Sequence, residues 1–333
     1  MKRKLKITGI IFLSFFGIGV IAFLFGPKPK APKLEKLNFD LTNDLSILEK
    51  QIDESESSAP GIRRGCEAKI VWADTVKKGK TKIAFLYIHG FGASEKEADP
   101  IHKNLAQKYR ANLYLSRLAG HGIDLGDSTM AKITADDFVY SIENALAITK
   151  QLGDEVIVIS NSFGGALSLW QASVHPEIKA LVLYSPCIQT ANESASMFAK
   201  PWGLKLIEAM TGSDVFDYKP YNDEYAKFWT THYNLNGLAA FQTFLLHTMD
   251  KETFEKIKCP IFVGYWYKNE NVKDTVASVT AMLTMFNQIG STYKQQFAFP
   301  NVANHEIATA ILSKDIEAVQ IQSEKFLTSI IQE

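Results

Sequence analysis

The feature that most constrains the fold is a series of short, continuously apolar, β-rich segments that alternate with helix-like segments. The apolar segments are AKIVWA (68–73), KIAFLYIHG (82–90), ANLYLSRL (111–118), EVIVISNS (155–162), ALVLYSP (180–186), PIFVGYW (260–266) and QQFAFP (295–300). Continuous apolar strands indicate burial on both faces. Residues 135–153 have apolar side chains at helical spacing, with two aspartates near their start. We therefore predict an α/β fold with a mostly parallel sheet covered by helices.

Composition limits the classes of function. The chain has 333 residues, with 36 acidic and 36 basic side chains, so it lacks the basic excess that nucleic-acid binding favours. Its three cysteines, Cys66, Cys187 and Cys259, show no CxxC spacing, and neither a zinc site nor a redox site is predicted. We expect thiols without a role, although Cys66 could form a bridge in an oxidising compartment.

Three segments precede the main domain, which is predicted at 61–333. Residues 1–6 are basic, and residues 7–26 carry no charge and are long enough to cross a bilayer as a helix. Residues 27–60 contain a Pro/Lys linker and an amphipathic helix at 41–56. The apolar run is longer than the core of a signal peptide and lacks a small-residue cleavage site. We expect an uncleaved transmembrane signal-anchor, with cleavage as the alternative. The main domain is expected on the extracytoplasmic side, although the positive charges before and after the apolar run are nearly equal in number and so favour neither orientation strongly.

The segment ISNSFGG (159–165) follows a strand-like run and opens a helix-like one, which is the context of a nucleophile elbow. This turn is so tight that the residues two before and two after the nucleophile must be small. Ser160 and Gly164 meet that demand, and Ser162 is the predicted nucleophile. The usual pattern has glycine where this chain has Ser160, and an ordinary Ser/Gly-rich turn is the alternative.

A second glycine motif, YIHGFGAS (87–94), also follows an apolar strand. Acyl transfer needs two backbone N–H groups directed at the tetrahedral oxyanion. We predict that Phe163, after the nucleophile, and Phe91, in this loop, supply them. His89, Gly90 and Gly92 are the predicted supporting residues, because glycine lets the backbone approach a substrate closely.

His305 is the predicted general base among seven histidines. It lies in a loop between the last predicted strand and the last predicted helix, and the order nucleophile, acid, histidine points to it. The acid is expected after the strand at 260–266, where Asp274 and Glu270 are the candidates. Asp274 is preferred because it precedes a stretch that can start a helix, although either acid could only cap that helix.

In this order, HGFGAS, RLAGHG (117–122), SNSFGG, DTVAS and ANH resemble the α/β-hydrolase superfamily, and within it the monoacylglycerol-lipase-like and carboxylesterase-like enzymes. The resemblance covers about residues 68–330. It implies an eight-stranded, mostly parallel sheet with a helical cap between the sixth and seventh strands, at 187–255 in this chain. The chain departs from the family's usual pattern in two places: Ser160 stands in place of glycine, and the stretch between the strand at 260–266 and Asp274 is longer than the usual short loop.

The resulting hypothesis is a serine hydrolase that cleaves acyl or monoacylglycerol-like esters through an acyl-enzyme on Ser162, with no cofactor and no metal. Its expected partners are a small-molecule or lipid ester and a membrane, and no nucleic acid. Four cap aromatic residues could line an acyl pocket or only form cap core: Phe198, Trp202, Phe228 and Trp229. One alternative is an aminopeptidase or amidase, in which cap acids bind a free amine: Asp214, Asp217, Asp223 and Glu224. The other alternative is a catalytically silent binding protein.

Overall fold

The chain builds one large sheet in the computed structural model, which describes residues 25–331. The strands are β1 (Lys69–Val71), β2 (Thr81–Ile88), β3 (Asn112–Leu115), β4 (Gly153–Asn161), β5 (Ala180–Tyr184), β6 (Val215–Asp217), β7 (His232–Asn234), β8 (Ile261–Asn269), β9 (Val272–Lys273) and β10 (Lys294–Phe299). The sheet order is β1-β3-β2-β4-β5-β8-β10, and β9 pairs with β8. Only the β1–β3 and β8–β9 pairs of this sheet are antiparallel. The predicted α/β class and mostly parallel sheet are confirmed.

Ten α-helices lie within the described residues. They are α1 (Leu45–Ser57), α2 (Ile101–Lys108), α3 (Ala135–Leu152), α4 (Ser162–Val174), α5 (Gly203–Thr211), α6 (Asp223–Phe228), α7 (Asn236–Thr248), α8 (Lys251–Lys256), α9 (Val279–Gln288) and α10 (Ile316–Ile330). Helix α3 matches the helix predicted at 135–153. It begins with a capping box, in which the side chains of Thr134 and Asp137 each accept the other residue's amide N–H.

Strand β2 shows why the central segments are continuously apolar. Its residues from Ile83 to Ile88 are all buried. Ala84, Leu86 and Ile88 belong to a core cluster shared with α1, α3, α4, α7 and α9, whereas Phe85 and Tyr87 belong to a second cluster shared with α2 and α10. Side chains alternate between the two faces of a strand, so burial under helices on both faces leaves no polar position.

Helix α1 is the amphipathic helix predicted at 41–56. Asp44 caps it, Leu48 and Ile52 are buried, and a bidentate Glu56–Arg117 ion pair joins it to the main domain. Of the predicted signal-anchor at 7–26, all but the last two residues lie outside the described part of the chain. Within residues 25–331, no helix is both long and apolar enough to cross a bilayer.

The insertion at 187–255 lies between β5 and β8. It is not purely helical, because β6 and β7 form an antiparallel pair within it. The expectation that the cap follows the sixth strand is wrong, since β5 is the fifth strand of the sheet. Within residues 25–331, only one short strand, β1, precedes β2, and the hairpin strand β9 brings the described sheet to eight strands.

Candidate active site

The turn from β4 into α4 places Ser162 at the end of the sheet. Its φ of 49° lies in the left-handed region, where a non-glycine residue stores about 1–3 kcal/mol of strain, a feature typical of functional sites. Gly164 has no room for a side chain, because a Cβ there would lie 2.2 Å from the carbonyl oxygen of Ile88. Ser160 is buried within β4, and its hydroxyl has no hydrogen-bond partner among the described residues. Serine in place of glycine therefore leaves the turn intact.

Three predicted site residues meet in one hydrogen-bond chain. His305 Nε2 lies 2.8 Å from Ser162 Oγ, and His305 Nδ1 lies 2.6 Å from Asp274 Oδ2. Asp274 Oδ1 accepts the amides of Val276 at 2.8 Å and Ala277 at 3.0 Å. His305 and Asp274 are both buried. Because the Asp274 carboxylate can only accept a hydrogen bond, His305 carries its proton on Nδ1. Nε2 is therefore free to accept the serine proton.

A hairpin accounts for the long stretch between the strand and Asp274. The chain leaves the sheet along β8 and returns along β9, and the Asp274 amide then donates to the Trp266 carbonyl at 3.1 Å. Glu270, the alternative acid, is exposed in the connection between these strands and forms an ion pair with Lys273. The structure therefore brings Asp274, and not Glu270, to His305.

The amides predicted for the oxyanion belong to two neighbouring phenylalanines. Among the described residues, the Phe91 N–H has no acceptor, and the Phe163 N–H lies in the first turn of α4, where amides lack intrahelical partners. The centroids of the two rings lie 6.3 Å apart, and both rings pack against Phe241. Tyr233 and His121 also pack edge-on against Phe91. This aromatic cluster fixes the backbone that carries both amides.

His89 supports the loop without taking part in proton transfer. Its Nε2 accepts the Leu118 amide at 3.1 Å, so Nδ1 carries the proton and donates to the Gly90 carbonyl at 2.8 Å. Burial, opposed by this hydrogen bond, lowers the pKa of His89 to about 4. The ring is therefore neutral at physiological pH.

Two buried glutamates beside the base were not predicted. Burial opposes charge on His305, but the Asp274 carboxylate, with Glu306 and Glu97 nearby, raises the pKa of His305 to about 9. Burial raises the pKa of Glu97 to about 8 and also raises that of Glu306. Glu306 follows the histidine, and Glu97 follows the glycine loop. Position was the only available signal, because a sequence pattern does not reveal that a carboxylate is buried.

The four cap aromatic residues have different environments. Trp229 is buried and stacks on Tyr225, with the ring centroids 4.3 Å apart. It therefore belongs to the core of the cap. Phe198 and Phe228 are half-buried, and Trp202 is exposed. They do not form one pocket wall.

The four cap acids are all exposed: Asp214, Asp217, Asp223 and Glu224. Asp217 pairs with His232, and Glu224 lies against Lys227. They do not form a buried patch that could bind a free amine. Among the described residues, no group of His, Cys, Asp and Glu has the geometry of a metal site, and the three cysteines are free thiols.

Comparison with known proteins supports the fold described above. The family model described as alpha/beta hydrolase fold matches residues 83–206. A thermostable monoacylglycerol lipase from Bacillus sp. (strain H-257) is 30% identical over 115 residues, which are 34% of this chain and 45% of that protein. The aligned region thus spans a little under half of this relative.

Solved structures match over a larger share of the chain. A structure from work on LipS and LipT, two metagenome-derived lipolytic enzymes, covers 80% of this chain and 99% of its own, with a TM-score of 0.65 and 19% identity. A soluble variant of monoglyceride lipase from Saccharomyces cerevisiae covers 92% of this chain and 100% of its own, with a TM-score of 0.58 and 17% identity. The chain is an α/β-hydrolase-fold protein that is similar to lipases and esterases of this fold.

Proposed function

We propose that the chain is a serine hydrolase that cleaves carboxylic esters through an acyl-enzyme on Ser162. The observation that carries this proposal is the buried hydrogen-bond chain from Asp274 through His305 to Ser162, with distances of 2.6 and 2.8 Å. It puts a base within proton-transfer distance of the nucleophile and a carboxylate behind the base, which is the arrangement that acyl transfer through serine requires.

In the proposed reaction, Ser162 Oγ bonds to the ester carbonyl carbon while its proton passes to His305 Nε2. The carbonyl oxygen becomes an oxyanion that accepts the N–H groups of Phe91 and Phe163. The bond to the alcohol then breaks, and His305 returns the proton to the leaving alkoxide. Water then attacks the acyl carbon while its proton passes to His305, the bond to Ser162 Oγ breaks, and His305 returns the proton to Oγ as the acid is released.

An acyl ester of the monoacylglycerol type is the proposed substrate class. The similarity to the Bacillus monoacylglycerol lipase and the yeast monoglyceride lipase supports it. The packing of Phe91 against Tyr233 and Phe241 also supports it, because it surrounds the loop of the proposed oxyanion site with aromatic rings, an environment that suits an acyl chain.

A membrane is the proposed location, with the main domain on the extracytoplasmic side. The uncharged run at 7–26 supports anchoring by its length. The residues that follow it pack on the cap, where the Trp202 amide donates to the Pro27 carbonyl at 2.8 Å. Trp202, directly before α5, and Leu206 and Met210 within it are spaced four residues apart and are exposed. Such an apolar stripe suits contact with a lipid surface.

Carbonate extraction and protease protection of membranes from producing cells test this location. We expect the full chain to stay with the membrane pellet and its main domain to be cleaved only by protease on the extracytoplasmic side. Release of the full chain by carbonate contradicts the anchor, and cleavage from the cytoplasmic side alone contradicts the orientation.

Hydrolysis assays on an ester panel test the activity. The purified full chain in detergent should hydrolyse 4-nitrophenyl acyl esters and monoacylglycerol, and Ser162→Ala should lose at least about 10³-fold in kcat. Ser173→Ala is a matched control on the same helix, since its hydroxyl donates to the Trp170 carbonyl and to no other group among the described residues, and it should keep wild-type rates. Equal rates for wild type and Ser162→Ala contradict the proposal.

A further inference from the structure

Glu97 is a buried acid that the proposed mechanism does not use. It lies in the 3₁₀ turn Glu95–Ala98, directly after the glycine loop, and its side chain is 2% exposed. Its Oε2 accepts the Gly90 amide at 2.5 Å, and its backbone carbonyl accepts Asn161 Nδ2 at 3.3 Å. Asn161 immediately precedes the proposed nucleophile. Glu97 therefore ties the loop of one proposed oxyanion donor to the turn that carries the other.

The Glu97 carboxyl group also lies close to the reaction centre. A Cβ at Gly90 would be 2.6 Å from Glu97 Oε1 and 2.9 Å from the Cβ of Ser162. The carboxyl and the nucleophile thus flank the same glycine. A charge on Glu97 would act directly on the atoms that react.

The charge environment of Glu97 differs from that of its neighbour Glu95. Glu95 is also buried, but ion pairs with Lys69 and Lys103, together with His102, hold its pKa far below the usual range against the effect of burial. Among the described residues, no lysine or arginine forms an ion pair with Glu97. The titratable groups that act on its carboxyl are Tyr87 of β2 and His305 and Glu306 after β10: burial and Glu306 disfavour the carboxylate, whereas His305 and Tyr87 favour it.

We propose that Glu97 is a positioning residue that works as an uncharged carboxylic acid and that switches the site off when it ionises. As the acid, its carbonyl oxygen holds the Gly90 amide and so fixes the peptide that precedes the Phe91 donor. As the carboxylate, it places a negative charge beside the position where the oxyanion forms, and the two like charges repel. This inference rests on the serine hydrolase function proposed above.

The pH dependence of catalysis separates this role from a merely structural one. The active form needs Glu97 protonated and His305 unprotonated. Because the pKa of Glu97, about 8, lies below that of His305, about 9, this form is the minor one at every pH, and wild-type kcat/KM should follow a narrow bell with limbs near pH 8 and pH 9 and a depressed maximum. Glu97→Gln keeps an oxygen for the Gly90 amide but cannot ionise. Its alkaline limb should disappear, and its rate should rise with pH to a plateau set by His305 alone, above the wild-type maximum, because no second group then has to stay protonated.

The experiment measures kcat and KM from pH 6 to pH 10 on 4-nitrophenyl butyrate, with a no-enzyme blank at each pH and circular dichroism to verify folding. Glu97→Ala should lower kcat about 100-fold at the optimum, with a smaller change in KM, because the donor loop loses its anchor. Glu306→Gln should keep the alkaline limb, because Glu97 can still ionise in that variant.

Three results overturn the inference while wild type remains active: an alkaline limb that persists in Glu97→Gln, a limb lost in Glu306→Gln instead, or wild-type kcat in Glu97→Ala. If Glu97→Ala does not fold, the Glu97→Gln profile alone decides. A wild type without Ser162-dependent hydrolysis overturns the proposed function and this inference together, so the two failures are distinguishable.

Discussion

Replacing Glu97 by glutamine should stabilise the folded chain at alkaline pH. Burial raises the pKa of Glu97 from its ordinary value of 4.5 to about 8. Between these two values the folded chain binds a proton at Glu97 and the unfolded chain does not. The free energy of unfolding therefore falls as pH rises through this window, and the penalty is complete above about pH 8. Glutamine carries no such proton and removes the penalty.

The size of the effect follows from linkage. Each pH unit between the two pKa values is worth roughly 1.4 kcal/mol, so a window of roughly 3.5 units gives an upper bound of roughly 5 kcal/mol. Relaxation around an ionised carboxylate lowers this value, and we expect Glu97→Gln to gain about 2–4 kcal/mol over wild type at pH 8.5. At pH 4.5 the two proteins should differ by less than about 1 kcal/mol.

Urea unfolding of the full chain in detergent, followed by circular dichroism from pH 4.5 to pH 9, measures this difference. Glu95→Gln is the matched control, since it lies in the same turn but its carboxylate is paired with lysines. That variant should lose stability above pH 4.5, which is the opposite sign. A constant difference between wild type and Glu97→Gln across the pH range would refute the reasoning, because it would show that Glu97 ionises freely in the folded chain.

Three further predictions concern the site and its turn. Asp274→Asn should lower kcat about 10³–10⁴-fold through the wrong His305 tautomer, whereas the exposed Glu270→Gln should stay within about twofold of wild type; ester kinetics that show equal losses contradict the assignment. The acid limb of wild-type kcat/KM should lie well above pH 6.5, because His305 with its pKa of about 9 cannot accept a proton while charged; a limb at pH 6.5 in a pH–rate profile contradicts this. Gly164→Ala should cost about 3 kcal/mol or more, because its Cβ would lie 2.2 Å from a carbonyl oxygen; an unchanged Tm contradicts the close approach.

Local patterns predicted the fold and most of the geometry of the site. The elbow around Ser162, the loop with Phe91 and the histidine after the last strand are each encoded in a few consecutive residues that follow an apolar strand. Parallel strands end at one edge of the sheet, so these loops had to meet there. The roles of these residues in catalysis stay predictions until an activity is measured.

Non-local features could not be predicted. The sequence favoured Asp274 over Glu270 as a residue before a possible helix start, whereas in the structure the β8–β9 hairpin, whose pairing includes a register irregularity, brings Asp274 to His305. The environment of Glu97 depends on which lysines reach its turn: two reach Glu95, and none among the described residues pairs with Glu97. Such differences arise from tertiary packing, and the sequence SEKEA shows two similar glutamates.

Labelling with a fluorophosphonate tests the central claim most directly. The full chain in detergent is treated with the probe, its intact mass is measured, and the modified peptide is mapped by tandem mass spectrometry. We expect one phosphonyl group per chain, attached to Ser162, and no labelling of His305→Ala, because the hydroxyl is then no longer activated. A folded wild type that remains unlabelled, or that is labelled at another serine, would contradict the claim that Ser162 is an activated nucleophile.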